Sequence, residues 1–443
     1  MRIKLSDHFT YKRLLRFVLA PVLMMIFTSL YSVVDGFFVS NFAGKTPFAA
    51  VNLIMPVMMG IGTIGFMIGT GGSALVSKTL GEGKHGQANR YFSMLVYTAL
   101  IVGALFSAAG FIFIRPISEA LGATGELLEN CVAYGSILFL SMPAFILQYV
   151  FHSFFITAEK PGLSLRVSLA AGLTNMALDY LFVAVLGWGI EGAAIATAIG
   201  EVIGGVVPIL YFSRKNNSLL RLTRARFEAR PLLRACANGA SEMVTNLSMS
   251  VVNILYNFQL MRLAGENGVA AYGVVMYVNF IFMAIFLGYS IGSAPIVGYH
   301  YGAQNHAELK NLFKKSLTLV VGAGLILTAV AELFSGALVG IFVRYDPELY
   351  AMTTHGFRLY ALAFLMMGVN VWGSAFFTAL NNGAVSAAIS FLRTLVFQIA
   401  AVLLLPLLLG INGIWLAVVV AEGLALLVTI AFFAAQRKRY HYA

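Results

Sequence analysis

Charge is what this sequence has least of. Only 11% of its 443 residues are Asp, Glu, Lys or Arg, against about 25% in an ordinary soluble protein. A chain of this size facing water on all sides needs a polar shell that so few charges cannot supply, so a soluble globular protein is excluded. Cysteine is scarcer still: Cys131 and Cys236 are the only two. Cys131 falls near the outer end of its apolar run and Cys236 near the inner end of its own, so the two should lie on opposite sides and no disulfide framework is expected. There are 7 His, with no ligand-spaced pair among them. No nucleophile stands beside a placed base, which argues against a membrane-embedded enzyme. Phosphate-loop chemistry is missing too. "GEGKHGQANR" (81–90) and "GAQNHAELKN" (302–311) lack a Gly-Lys-Ser/Thr ending and read as tight polar connectors.

What is abundant is apolar length. The chain is 60% hydrophobic with mean hydropathy +0.86. Twelve apolar spans follow, at about 15–38, 48–72, 91–114, 131–157, 163–187, 190–212, 236–261, 268–292, 316–343, 352–379, 384–409 and 412–435. The net charge of +11 would suggest nucleic acid if the basic residues clustered on one face. They sort by topology instead. With the N-terminus in the cytoplasm, 24 of the 29 Lys and Arg fall inside, Arg393 among them, and 5 fall outside. The bilayer is the partner and nucleic acid is not. "MRIKLSDHFTYKRLLR" reads as a basic amphipathic lead along the inner membrane surface rather than a cleavable signal. Both termini are expected to be cytoplasmic.

The sequence also repeats itself. "GIEGAAIATAIGE" (189–201) returns as "GINGIWLAVVVAE" (410–422), an offset of 221 residues. The same offset links Phe155, Thr157, Ala158 and Gly162 to Phe376, Thr378, Ala379 and Gly383, Gly44 to Gly265, and Gly81 to Gly302. The expected fold is therefore an all-α polytopic membrane protein. Its two six-helix lobes, 1–221 and 222–443, lie parallel about a pseudo-two-fold axis along the membrane normal. The basic seam 213–234 is expected to be a cytoplasmic linker carrying an amphipathic helix.

Six acids fall inside spans: Asp35, Asp179, Glu201, Glu242, Glu332 and Glu422. A carboxylate there costs roughly 2.5–3.5 kcal/mol on insertion scales and is a functional candidate. In "TNMALDYLFV" (174–183) Asn175 and Asp179 stand at i and i+4, on one helix face. Asp35 on span 1 matches their depth in the outer half, and Thr197 shares a face with Glu201 on span 6. Two carboxylates brought together carry one proton more readily than two charges; with Asn and Thr oxygens they can hold Na⁺. The duplicate positions of Asp35, Asn175 and Asp179 hold Tyr256, Val396 and Ala400, so this set belongs to one lobe. Glu201 and Glu422 repeat each other and read as structural. Glu332 has no evident partner. Pro21, fourteen residues before Asp35, is expected to kink span 1, as a hinge or as a static bend.

On Asp35, "NMALD" and Thr197, set in two parallel six-span halves, the chain resembles the multidrug and toxic compound extrusion (MATE) transporters, and among them the bacterial DinF- and MepA-like branch. That resemblance implies that Asp35, Asn175, Asp179 and Thr197 form a cation-coupling site, with Tyr134 as its tyrosine partner and Pro21 as the point where span 1 bends. It likens Glu242 to a glutamate of the other lobe, with a role toward ion or drug. Asn370 stands near where another branch has an aspartate. The implied activity is export of cationic amphipathic drugs through an alternating-access cleft against H⁺ or Na⁺, in a bacterial inner membrane, by a monomer without a cofactor. If the ion is Na⁺, the metal ligands are Asp35, Asn175, Asp179 and Thr197. Tyr31, Met142, Gln148 and Glu242 are candidate cavity residues. A lipid-linked or polysaccharide flippase of related architecture is the alternative; it would be expected to line its cavity with several Arg.

Overall fold

The computed structural model describes residues 3–443, apart from the side chains of Ser32 and Val33. Without water to satisfy its backbone, a chain crossing lipid must close its hydrogen bonds within helices, and twelve crossings result. They are α1 Tyr11–Ala43, α2 Lys45–Gly81, α3 His85–Ala120, α4 Gly125–Thr157, α5 Pro161–Val185 and α6 Gly189–Ser213. The second half has α7 (229–264), α8 (266–302), α9 His306–Val343, α10 (347–379), α11 Gly383–Leu409 and α12 Ile411–Tyr440. Helix α10 is bent by 49° between Pro347–Ala361 and Phe364–Ala379.

The helix ends follow from local chemistry. Thr10 caps α1 by accepting from Arg13 N, Asn305 caps α9 by accepting from Glu308 N, and Asp346 caps α10 by accepting from Glu348 N and Leu349 N. Pro161 and Pro347 stand at first helical positions. A continuous helical ladder over 229–302 would be too long for one crossing; it breaks at Gly265, whose φ of 61° a side chain would resist. Gly44, with φ 109°, makes the same break between α1 and α2. The two glycines are one offset of 221 apart.

Helices α1–α6 and α7–α12 pack as two lobes, each around its own apolar core. The lobes meet where side chains are smallest. A Cβ on Gly81 would strike Tyr299 O, and a Cβ on Gly302 would strike Lys78 O. Adding 221 to 78 and 81 gives 299 and 302, so each residue meets its duplicate's neighbourhood reciprocally, the mark of a two-fold contact. Close crossings of α2 on α7 and of α8 on α1 flank this point. A Cβ on Gly288 would lie 2.5 Å from Val22 Cα and 2.9 Å from Pro21 O.

Two expectations need correction. The linker 214–228 contains no helix; it runs extended under α3, where Asn89 Oδ1 accepts from Arg221 N at 2.8 Å and Ser93 Oγ from Thr223 N at 2.8 Å. The lead does not lie flat as an amphipathic helix. Its residues 3–10 are tucked beneath both lobes. Leu5 N donates to Glu159 Oε1 at 2.8 Å, Phe9 N to Glu308 Oε1 at 2.8 Å, and Leu5 and Phe9 are fully buried. A basic stretch with apolar residues at 5, 9 and 14 serves as an inter-lobe strap as readily as a surface helix. This strap, the linker and the C-terminus share one face of the molecule, the terminal face.

Candidate functional site

Each lobe has a pocket among its helices. The N-terminal pocket, about 90 Å³, is lined by polar residues of α1, α5 and α6 and by Met55, Met58 and Met59 of α2. Asp35 is 7% exposed, Asn175 3% and Asp179 0%. Asp35 lies within electrostatic reach of Asp179, Asn175 and Thr197. Asn175 Nδ2 donates to Thr197 Oγ1 at 3.3 Å. The helices bring this about by widening beside the acids: π-helical turns at Val39–Ala43 and Tyr180–Val185 follow Asp35 and Asp179, a distortion frequent at functional sites.

The cluster is under-satisfied. Among the described residues Asp35 Oδ1, both Asp179 oxygens, Asn175 Oδ1 and Tyr134 Oη are buried with no hydrogen-bond partner. A buried polar atom left so is costly, and two carboxylates at this range repel unless a proton or cation lies between them. Tyr134 is 1% exposed and within electrostatic reach of Asp35, Glu201 and Asp179.

The remaining expected residues distribute unevenly. Tyr31 and Gln148 line the N-terminal pocket. Met142 does not: it is fully buried in the N-terminal core, because that face of α4 packs against helices rather than the pocket. Pro21 sits in a continuous helical stretch at the crossing of α1 on α8, with no break in the helical backbone there. Glu242, half-buried on α7, lines neither pocket. Glu332 accepts from Ser335 Oγ only through its backbone carbonyl, at 3.3 Å. Glu201 lines the pocket and accepts from Ser141 Oγ at 2.5 Å.

The C-terminal pocket, about 60 Å³, holds residues that sequence reasoning missed. Arg393, assigned above to the inner membrane edge, is 6% exposed within α11, and its Nε donates to Glu422 Oε1 at 2.8 Å. Asn370 Nδ2 donates to Glu422 Oε2 at 2.7 Å, and Thr429 Oγ1 to Asn370 Oδ1 at 3.0 Å. An arginine inside the apolar run 384–409 was the available signal. The two pockets are equivalents. Tyr31, Asp35, Met55, Met58, Gly172, Thr197 and Glu201 line one, and Val252, Tyr256, Met276, Asn279, Arg393, Val418 and Glu422, each 221 residues later, line the other.

Twelve crossings in two parallel lobes with equivalent pockets define a multi-pass helical membrane protein built by duplication. The MatE family matches residues 21–181 and again 242–404, segments that begin 221 residues apart, and the chain belongs to that family. It is 23% identical over 418 residues to "Multidrug export protein MepA" of Staphylococcus saprophyticus, covering 94% of this chain and 92% of that one. Among solved structures, "Crystal structure of MATE in complex with MaL6" superposes with a TM-score of 0.93 at 21% identity, covering 98% of both chains. "Outward-facing conformation of a multidrug resistance MATE family transporter of the MOP superfamily" does so with 0.92 at 22%, again covering 98% of both.

Proposed function

We propose that the protein exports cationic amphipathic compounds across a bacterial inner membrane, by alternating access between its lobes, in exchange for inward H⁺ or Na⁺. The observation that carries this is the buried pair Asp35 and Asp179, whose Asp35 Oδ1 and both Asp179 oxygens have no hydrogen-bond partner among the described residues. The names of the relatives, a multidrug exporter and a multidrug resistance transporter captured outward-facing, support the same reading.

In this reading the terminal face is cytoplasmic and the lobe boundary at 221/222 falls in the extended linker. One chain carries both lobes and works as a monomer. Asp35, Asp179, Asn175 and Thr197 take the cation, whether a proton shared between the carboxylates or Na⁺ held by four oxygens, and Tyr134 closes the set. Loading one cation lowers the charge of the pair from −2 to −1, and α1 then shifts at Pro21, where it bears on Gly288 of the other lobe. Unloading restores the charge and favours a cationic ligand reaching past Tyr31 and Gln148. One carboxylate pair serves two cations in turn, and exchange follows. Neither pocket reaches the roughly 300–1,000 Å³ of a drug-sized site, so each receives a head group while the rest of the ligand lies in the cleft.

Accumulation of a fluorescent cationic dye in cells expressing the protein tests this. Lowered accumulation that returns to the control level when the H⁺ and Na⁺ gradients are dissipated is expected. Accumulation equal to non-expressing cells refutes it.

A further inference from the structure

The two equivalent pockets have opposite polarity. The N-terminal one is lined by Asp35 and Glu201 and by no basic residue. In the C-terminal one the position of Gly172 is taken by Arg393. That arginine stands in a π-helical turn, Leu392–Phe397, so this lobe too widens its helix where a charge faces the pocket.

Arg393 uses only part of its donor set. Its Nε is engaged by Glu422; among the described residues Nη1 and Nη2 make no hydrogen bond. The second oxygen of Glu422 accepts from Asn370 rather than from Arg393. The surrounding amides are likewise turned. Tyr272 donates its hydroxyl to Asn253 Oδ1 at 2.9 Å and Tyr256 to Gln398 Oε1 at 3.4 Å, which leaves the NH₂ groups of Asn253 and Gln398 without protein partners among the described residues. Asn279, 3% exposed and lining the same pocket, has a buried Oδ1 with no partner among the described residues.

We infer that the C-terminal pocket binds the carboxylate head of zwitterionic amphiphiles, with Arg393 Nη1 and Nη2 as its bidentate donors. The inference rests on the export reading above and extends its substrates beyond simple cations. A carboxylate fits a pocket of about 60 Å³ where a whole drug does not. A ligand bearing only negative charge is disfavoured, because Glu422 and Glu242, the acids within range of Arg393, outnumber it. A ligand that also carries a cationic group offsets that penalty.

The test uses two dyes on one scaffold: rhodamine 110, a zwitterion with a free carboxylate, and rhodamine 123, its cationic methyl ester. Binding to the purified protein is followed by fluorescence polarisation. A pair of charge-assisted hydrogen bonds predicts that R393Q weakens rhodamine 110 by at least about 10-fold and rhodamine 123 by less than about 2-fold. The double variant R393Q/E422Q, which leaves no orphan carboxylate, should show the same selectivity, and R393K should retain part of the rhodamine 110 affinity. Equal losses for both dyes, or rhodamine 110 binding unchanged in both R393Q and the double variant, overturn the inference. Wild-type protein that binds rhodamine 123 but not rhodamine 110 overturns it while leaving export standing. Binding of neither dye overturns both.

Discussion

Removing one partner of the Arg393–Glu422 pair should cost far more than removing both. The nitrogen and oxygen are 2.8 Å apart, with the side chains 7% and 1% exposed. Their attraction is about 6 kcal/mol at an effective dielectric near 20, and withdrawing both charges from water offsets most of it. Glu422→Leu leaves a guanidinium among apolar walls; Arg393→Met leaves a carboxylate held only by Asn370. Each should destabilise by about 3–5 kcal/mol, whereas the double variant should lie within about 2 kcal/mol of wild type. A double-mutant cycle of unfolding free energies in mixed detergent micelles measures this as a coupling energy of at least about 4 kcal/mol. Additive single costs would refute the reasoning and mean that the pair is solvated in the membrane.

Valine at Gly81 or at Gly302 drives a branched side chain into the opposing backbone and should cost at least about 1–3 kcal/mol, seen as lost monodisperse yield in size exclusion; Gly86→Ala, where nothing lies within 4 Å, should be silent. For topology, Tyr345→Cys, at a position 80% exposed between α9 and α10, should react with an impermeant thiol reagent from outside intact cells. Lys215→Cys in the linker should react only after lysis, and the reverse pattern would invert the assignment. Cys131, fully buried, should stay unreactive from either side.

The crossings and the duplication were legible because both are written in single residues. Hydropathy marked the spans, and Gly44 with Gly265 marked equivalent breaks, which their positive φ angles explain. Asp35 and Asp179 could be paired because they share a depth on spans running the same way. Arg393 could not be placed that way. Its partner Glu422 is 29 residues off on the next helix, and an arginine near a span end is ordinarily interfacial. The strap escaped for a similar reason: burial of Leu5 and Phe9 depends on Glu159 and Glu308 of two different lobes, long-range contacts that no local pattern encodes. Met142 was misplaced because a helical face toward the pocket and one toward a neighbouring helix are equally apolar.

The central claim is that Asp35 and Asp179 couple ion entry to drug exit. It is met most directly in proteoliposomes, by following rhodamine 123 exchange driven by an imposed H⁺ or Na⁺ gradient. Asp35→Asn and Asp179→Asn keep shape and remove charge, so each should reduce gradient-driven exchange to below about a tenth of wild type, a loss of at least about 1.4 kcal/mol in transition-state terms. Both proteins should fold normally, and Glu332→Gln should transport like wild type. If both aspartate variants exchange dye at the wild-type rate, the pair is only a hydrogen-bonded staple between α1 and α5, and the coupling account is wrong.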